Sequence, residues 1–195
     1  MRKKNVLVMG LSMALVAVIS IGSTLAYLTA SDDKVVNTFK FANNMTVTLS
    51  ESQPTPVKNE SVSSNDQGGY DYTNVVPGQT LNKAPTIKVT SSVDAYVFAR
   101  VTPGANMTIG TLGEGWTKLE DVETTSGKLV YYKTVSGQTA EQDLGALFST
   151  VTVGNVDLSG DTTGTLGDIT IEVAAIQSAG FSNAAAAYAE AEFQA

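Results

Sequence analysis

Apolar and polar residues alternate with a period of two along several short stretches of this chain, the signature of strands with one buried face. Residues 45–49 read Met-Thr-Val-Thr-Leu and residues 85–90 read Pro-Thr-Ile-Lys-Val-Thr. After a Ser91-Ser92 break comes the clearest strand, 93–101. It puts Val93, Ala95, Val97, Ala99 and Val101 on one face and Asp94, Tyr96, Phe98 and Arg100 on the other. Aromatics mixed with charge predict a partly exposed second face. Further strands are expected at 151–153 and 169–173, the former reached through 144–148. A hairpin is expected where Ser126-Gly127 separates 119–125 from 129–132. Between them, 51–69 collects Pro, Asn, Ser and Gly and predicts a long irregular surface loop. Val75-Val76-Pro77-Gly78 predicts a turn, because Pro fixes φ and Gly accepts a positive one. Residues 157–167 predict a second loop. After Gly180 the period changes: Ser182 or Asn183 is placed to cap a helix over 184–193, rich in alanine.

Short strands at regular spacing, closed by one small helix, define the expected fold. It is all-β: a single antiparallel β-sandwich of the jelly-roll or Ig-like kind with a short C-terminal helix, over residues 42–195. No internal repeat and no second domain is visible.

A different pattern precedes the strands. Arg2, Lys3 and Lys4 are followed by an apolar run over residues 6–21 and then by small residues, Gly22-Ser23-Thr24-Leu25-Ala26. That order is that of a secretory signal peptide. The run is about 16 residues, short of the ~20 a membrane-spanning helix needs, so an uncleaved anchor fits less well. Cleavage is expected after Ala26 or after Tyr27, with 1–27 removed and the membrane met only transiently. Ala30 with Leu28 three residues ahead fits less well. No Cys follows the run to carry a lipid, and neither a sorting signal nor a second hydrophobic stretch is seen near Ala195. Residues 28–41 are then an extended N-terminal arm, polar at first and leading through Val35 and Val36 to Phe39 and Phe41.

Composition narrows the function. Residues 1–27 hold three of the 12 basic residues and none of the 19 acidic ones, so the remainder carries a net charge of −10. Such a surface repels nucleic acid, which needs clustered Lys and Arg to displace counterions. The chain has no Cys, so an exported domain must hold together by burial and backbone pairing. It also has no His. A typical catalytic zinc site, a Ser-His-Asp triad and a Cys-His pair are therefore all excluded. Nothing marks a carboxylate-only or Ser-Lys site. No enzyme activity, metal or cofactor is expected.

Several short motifs carry a family resemblance. Residues 22–30 followed by Asn37-Thr38-Phe39 look like the export signal cut by a SipW-type signal peptidase. Val76-Pro77-Gly78-Gln79-Thr80, Lys83-Ala84-Pro85-Thr86 and Asp94-Ala95-Tyr96-Val97 resemble a block of the same exported proteins. Trp116, Leu129-Val130-Tyr131-Tyr132, Thr139, Leu147-Phe148 and the ending Ala175-Ile176-Gln177-Ser178-Ala179-Gly180-Phe181 fit that pattern over nearly the whole chain. Together they are similar to the TasA/camelysin-like proteins of monoderm bacteria. The resemblance implies a jelly-roll sandwich, secretion to the cell surface or biofilm matrix, and fibres in which one subunit's arm pairs with the next subunit's sheet. The partner is then the chain itself or a related matrix protein. The chain is shorter than TasA, which fits an accessory subunit as well as a main one. Some relatives carry a metallopeptidase label, and the missing His speaks against that activity here.

The arm is the preferred functional element. About fourteen residues, at ~3.3 Å each, reach some 45 Å. An added strand gains main-chain hydrogen bonds while alternate side chains enter pockets. Val35 or Val36, Phe39 and Phe41 are the expected anchors. Head-to-tail donation does not close on itself and builds filaments; the alternative is an arm that folds back or stays loose. Asp157, Ser159, Asp161 and Asp168 offer oxygens to calcium, but their spacing is not that of an EF-hand, and an Asx/Gly turn fits better. Trp116, Tyr131, Tyr132, Tyr96 and Phe98 form either a sugar-stacking platform or, more in keeping with strand aromatics, packing. The tail 184–195 is expected to cover an open end of the sandwich with Phe181, Tyr188 and Phe193. The expected function is a secreted structural protein of the extracellular matrix. The alternative is a monomeric surface module for a wall polysaccharide or host ligand.

Overall fold

The structure is a computed structural model that describes residues 45–120, 122, 127–155 and 166–193. All belong to the second of two compact units, 44–195. The first unit lies outside the described residues, and with it the leader, Ala26, Tyr27, Val35, Val36, Phe39 and Phe41.

The alternating segments fold as strands. They are β1 Thr46–Glu51, β2 Ser61–Ser64, β3 Tyr70–Thr73, β4 Thr80–Asn82, β5 Pro85–Ser91, β6 Ala95–Thr102, β7 Met107–Ile109, β8 Thr117–Lys118, β9 Leu129–Val135, β10 Gln138–Ala146, β11 Thr150–Val153 and β12 Thr170–Gln177. One helix, α1 Ala184–Ala189, follows. Every pairing among them is antiparallel.

Two layers result. The first is the four-stranded sheet β12-β6-β9-β8. The second joins β1-β5-β10 to β4-β11-β7. Two hydrogen bonds carry the ladder across the junction, Leu147 N–H to the Pro85 carbonyl (2.8 Å) and Lys83 N–H to the Ser149 carbonyl (3.1 Å). Thus β4–β5 and β10–β11 run as one bent antiparallel pair. Gly113 lets the neighbouring segment approach this bend, since a Cβ there would lie 2.0 Å from the Ala146 carbonyl oxygen.

The core lies between the layers. Ile87 and Val89 from one sheet meet Ala95, Val97, Ala99 and Val101 from the other, all buried, with Leu147, Phe148 and Val151 closing the bend. Period-two alternation thus delivers its residues to one interior, and the all-β antiparallel sandwich is the fold of this chain. The 75–78 turn forms as expected: Gly78 has φ +75° and Gln79 N–H donates to the Val76 carbonyl at 3.2 Å.

Three expectations need correction. The 51–69 stretch is not wholly irregular: it contains β2, which pairs with β3 in register Ser61↔Thr73 through Ser64↔Tyr70. The tip turns because Asn65 Oδ1 accepts from Gln67 and Gly69 N–H at 3.1 and 2.9 Å, an Asx turn among polar residues. The second face of β6 is not partly open at Phe98, which is fully buried. The reason is the third correction: α1 covers the outer face of the first sheet instead of an end of the sandwich. Ala184 and Ala187 pack with Phe98 and Val130, and Phe181, Tyr188 and Phe193 join them. Phe98 and Tyr188 meet edge to face at 5.5 Å. Asn183 is the cap, its Oδ1 accepting from Ala186 N–H at 2.9 Å. Six residues could not hold as a helix alone, so this packing sustains α1.

Candidate functional site

Six strands stand at edges of the two layers among the described residues, and they differ in how they are protected. β10 is polar and exposed along most of its length, and its register to β5 shifts twice, between Gln138 and Gln142 and between Asp143 and Ala146. Bulges and charge of this kind block strand addition. β4 and β7 have three residues each and β8 two, too short to template a partner. β1 and β12 are different. β1 matches β5 over six residues and β12 matches β6 over eight, with neither a bulge nor a proline in either edge strand.

These two edges lie alongside each other, one from each layer. Register fixes which of their side chains point inward. Val47 and Leu49 lie opposite core residues Val89 and Ile87, and Ile171, Val173 and Ala175 lie opposite Val101, Ala99 and Val97. On the central strands β5 and β6 such inward positions are sealed. Here Val47, Ile171, Val173 and Ala175 are only half-buried, and Leu49 is 37 % exposed. Among the described residues, β1 and β12 therefore border a seam with an apolar lining, and no strand pairs with either on its outer side. One end of it leads towards a cleft of about 810 Å³ beneath the β2–β3 hairpin, bordered by Tyr70, Tyr72, Lys83, Val151, Ile169 and Ile171.

Ionic groups brace both edges. Glu51, at the end of β1, pairs with Lys83 at 2.6 Å and accepts from Ala84 N–H at 3.1 Å. Glu172, on the outer face of β12, accepts from Arg100 Nε and Nη2 at 2.8 Å each and from Lys128 Nζ at 2.9 Å. The Arg100 guanidinium, helped by Lys128, holds the Glu172 carboxyl down at about 2, and Arg100 itself is raised by the same pair. Arg100 also stacks on Phe193, 4.1 Å from the ring centre, tying β12 and the C-terminal segment together. A further buried carboxylate, Glu60, accepts from Val57 N–H, from Lys58 N–H at 2.9 Å and from Gln79 Nε2 at 2.6 Å. Those donors, Val57 foremost, keep it below the ordinary carboxylate range. Gln79 Oε1 in turn accepts from Val76 N–H at 3.1 Å, so the network ties the 57–60 loop to the 76–79 turn.

The structure separates the five aromatics of the suggested sugar platform. Trp116 and Tyr131 are buried in the inter-sheet core, whereas Tyr96, Phe98 and Tyr132 belong to the cluster under α1. Packing is the role they fill. Asp168 is exposed, and Asp157, Ser159 and Asp161 lie outside the described residues. Among the described residues no three Asp or Glu side chains gather as a metal site would require. The open seam was missed from sequence, because alternation identifies a strand without saying whether it has one neighbour or two. Opposite charges at 100 and 172 on otherwise apolar strands were the available signal for the Arg100–Glu172 pair.

Fold and seam together define an antiparallel β-sandwich in which, among the described residues, the β1 and β12 edges have no further partner strand. Comparison with family models, with curated proteins and with solved structures returns no match.

Proposed function

We propose that this protein is a secreted, non-enzymatic structural subunit of an extracellular matrix, and that the seam between β1 and β12 accepts the 28–41 arm of a neighbouring copy. The leader-like start and the short-motif resemblance to TasA/camelysin-like proteins support export by a SipW-type peptidase. One observation carries the assembly reading: the inward side chains of both edge strands, Leu49 above all, stay partly in water. An added strand would satisfy the free backbone edge and cover those side chains, with Val35 or Val36, Phe39 and Phe41 entering between the layers. Both halves of that exchange come from one chain, so a homopolymer is the expected product, and a related matrix protein with a similar arm would copolymerise. The surface-module alternative finds no support from the aromatics, which are spent on packing.

The test compares processed chains beginning at Leu28 with chains beginning at Phe39, by electron microscopy and sedimentation. The longer chain should form filaments and the shorter should stay small. Equal assembly of both would remove the arm from the mechanism.

A further inference from the structure

The sandwich has two ends along its strand direction. At one, the start of β1 lies beside the end of β5, with Thr46 opposite Thr90, and the 92–94 turn follows. At the other, Glu51 lies opposite Pro85, and the Glu60–Gln79 network holds the 57–60 and 76–79 segments. Among the described residues, the exposed large hydrophobics are Leu49 in the seam, Val93 at the first end (43 % exposed), and Val57 and Val76 at the second (48 % and 50 %). Each end sets a charge of opposite sign beside its valine: exposed Asp94 follows Val93, and exposed Lys58 follows Val57. Both displays are rigid. The Val93 carbonyl accepts from Ser91 Oγ at 2.6 Å, and Asp94 accepts from Gly137 N–H at 2.8 Å. The Val57 and Val76 N–H groups are bound into the Glu60–Gln79 network.

Strand direction decides which ends meet. β1 runs from the first end to the second, and β12 runs the other way, since Thr170 pairs with Thr102 and Gln177 with Ala95. An arm leads directly into its own β1 and so leaves its parent at the first end. If it entered a neighbour antiparallel to β1, two first ends would face each other. Asp94 would then oppose Asp94, and the exchange would close as a dimer. If it entered antiparallel to β12, a first end would face a second end, valine would meet valine, and Asp94 would approach Lys58.

We infer that copies of this chain stack end to opposite end, Val93 and Asp94 of one against Val57, Val76 and Lys58 of the next, with the arm laid antiparallel to β12. This rests on the assembly reading above and adds the direction and the contact. The two valine patches alone are far smaller than the ~1,200 Å² of a stable interface. Their role is to select the open arrangement over the closed one.

Because the chain has no cysteine, paired substitutions report the contact directly. The two ends of one subunit are separated by at least the length of β1, about 17 Å at ~3.4 Å per residue, too far for a bridge within a chain. The processed chain carrying both Val57→Cys and Val93→Cys should oxidise to a ladder of covalent multimers. Mixing the two single variants should give the mixed dimer, and adding Lys58→Glu should cut its yield severalfold. Homodimers of Val93→Cys in place of mixed dimers would overturn the stacking direction. Filaments without any cross-link would overturn the end contact while sparing the arm. A ladder that persists when residues 28–38 are deleted would keep the contact and remove the arm. Neither filaments nor cross-links would overturn both.

Discussion

Replacing Glu172 with Gln keeps the shape of the side chain and one acceptor but removes the charge shared by Arg100 and Lys128. Its carboxyl stands at about 2 in the folded protein against an ordinary 4.5. At about 1.4 kcal/mol for each tenfold change in proton affinity, full conversion is about 3 kcal/mol. Water reaches the outer side of the cluster and screens it, leaving an expected loss of about 1–2 kcal/mol at pH 7. For a domain of this size that lowers the melting temperature by about 3–6 °C.

The sign follows from the direction of the shift. A carboxyl held below its unfolded value contributes stability that is complete above about 4.5 and fades as the pH falls towards about 2. Urea titrations at pH 7, 5, 3.5 and 2, followed by fluorescence of the single tryptophan, Trp116, should therefore show a gap between wild type and Glu172→Gln. The gap should be constant from pH 7 to 5, narrower at 3.5 and closed near 2. A gap of equal size at every pH would mean that the substitution acts through packing, and no gap at pH 7 would mean that the cluster is fully screened. Either result refutes the ionic account. The same reasoning fixes a condition for assembly: mild acid neutralises ordinary surface carboxylates and eases repulsion between chains of net negative charge, while Glu172 stays ionised and β12 stays braced.

Phe98→Ala removes the ring that joins β6 to Tyr188 of α1 and should cost about 3–5 kcal/mol. Hydrogen exchange at the Ala187 amide should rise more than exchange in β5. Asn183→Ala deletes only the cap and should cost about 1 kcal/mol, read by the same exchange and by chemical denaturation. Gly113→Ala drives a Cβ against the Ala146 carbonyl and should destabilise by about 3 kcal/mol or more. Gly145→Ala has open space and meets only the strain of φ +75°, about 1 kcal/mol. A reversal of that order, measured by urea midpoints, would contradict the bend geometry.

What could be read from the sequence was the set of strands whose side chains alternate most cleanly. β5 and β11 were expected where they occur, as was the 75–78 turn; β6 begins at Ala95, leaving Val93 exposed before it, β12 runs on past the expected 173 to Gln177, and of the two caps offered Asn183 serves. The hairpin β2–β3 escaped because Ser61-Val62-Ser63-Ser64 has one apolar residue; its register comes from the Asn65 turn. β10 escaped for a related reason, since six of its nine residues from Gln138 to Asp143 offer only Ala140 as an apolar side chain. The position of α1 was illegible because it depends on which sheet face needs cover. Phe98 and Val130 supply that need only once β6 and β9 are paired.

Edge protection and strand legibility prove to be opposed. The polar residues and shifted register that hid β10 are what guard it against a further strand. β1 and the first half of β12 are easy to read because nothing interrupts their alternation, and the unshifted register of both strands leaves them open to a partner. Each does carry one acidic residue of the kind that can guard an edge, but its charge is already met, Glu51 by Lys83 and Glu172 by Arg100 and Lys128. Freeing one of those charges should convert an open edge into a guarded one. Lys83→Met leaves Glu51 uncompensated at the seam, where an incoming strand would have to desolvate it. Filament formation at pH 7 should then weaken, while the unassembled fold remains intact by circular dichroism. Assembly equal to wild type would show that the β1 edge takes no part.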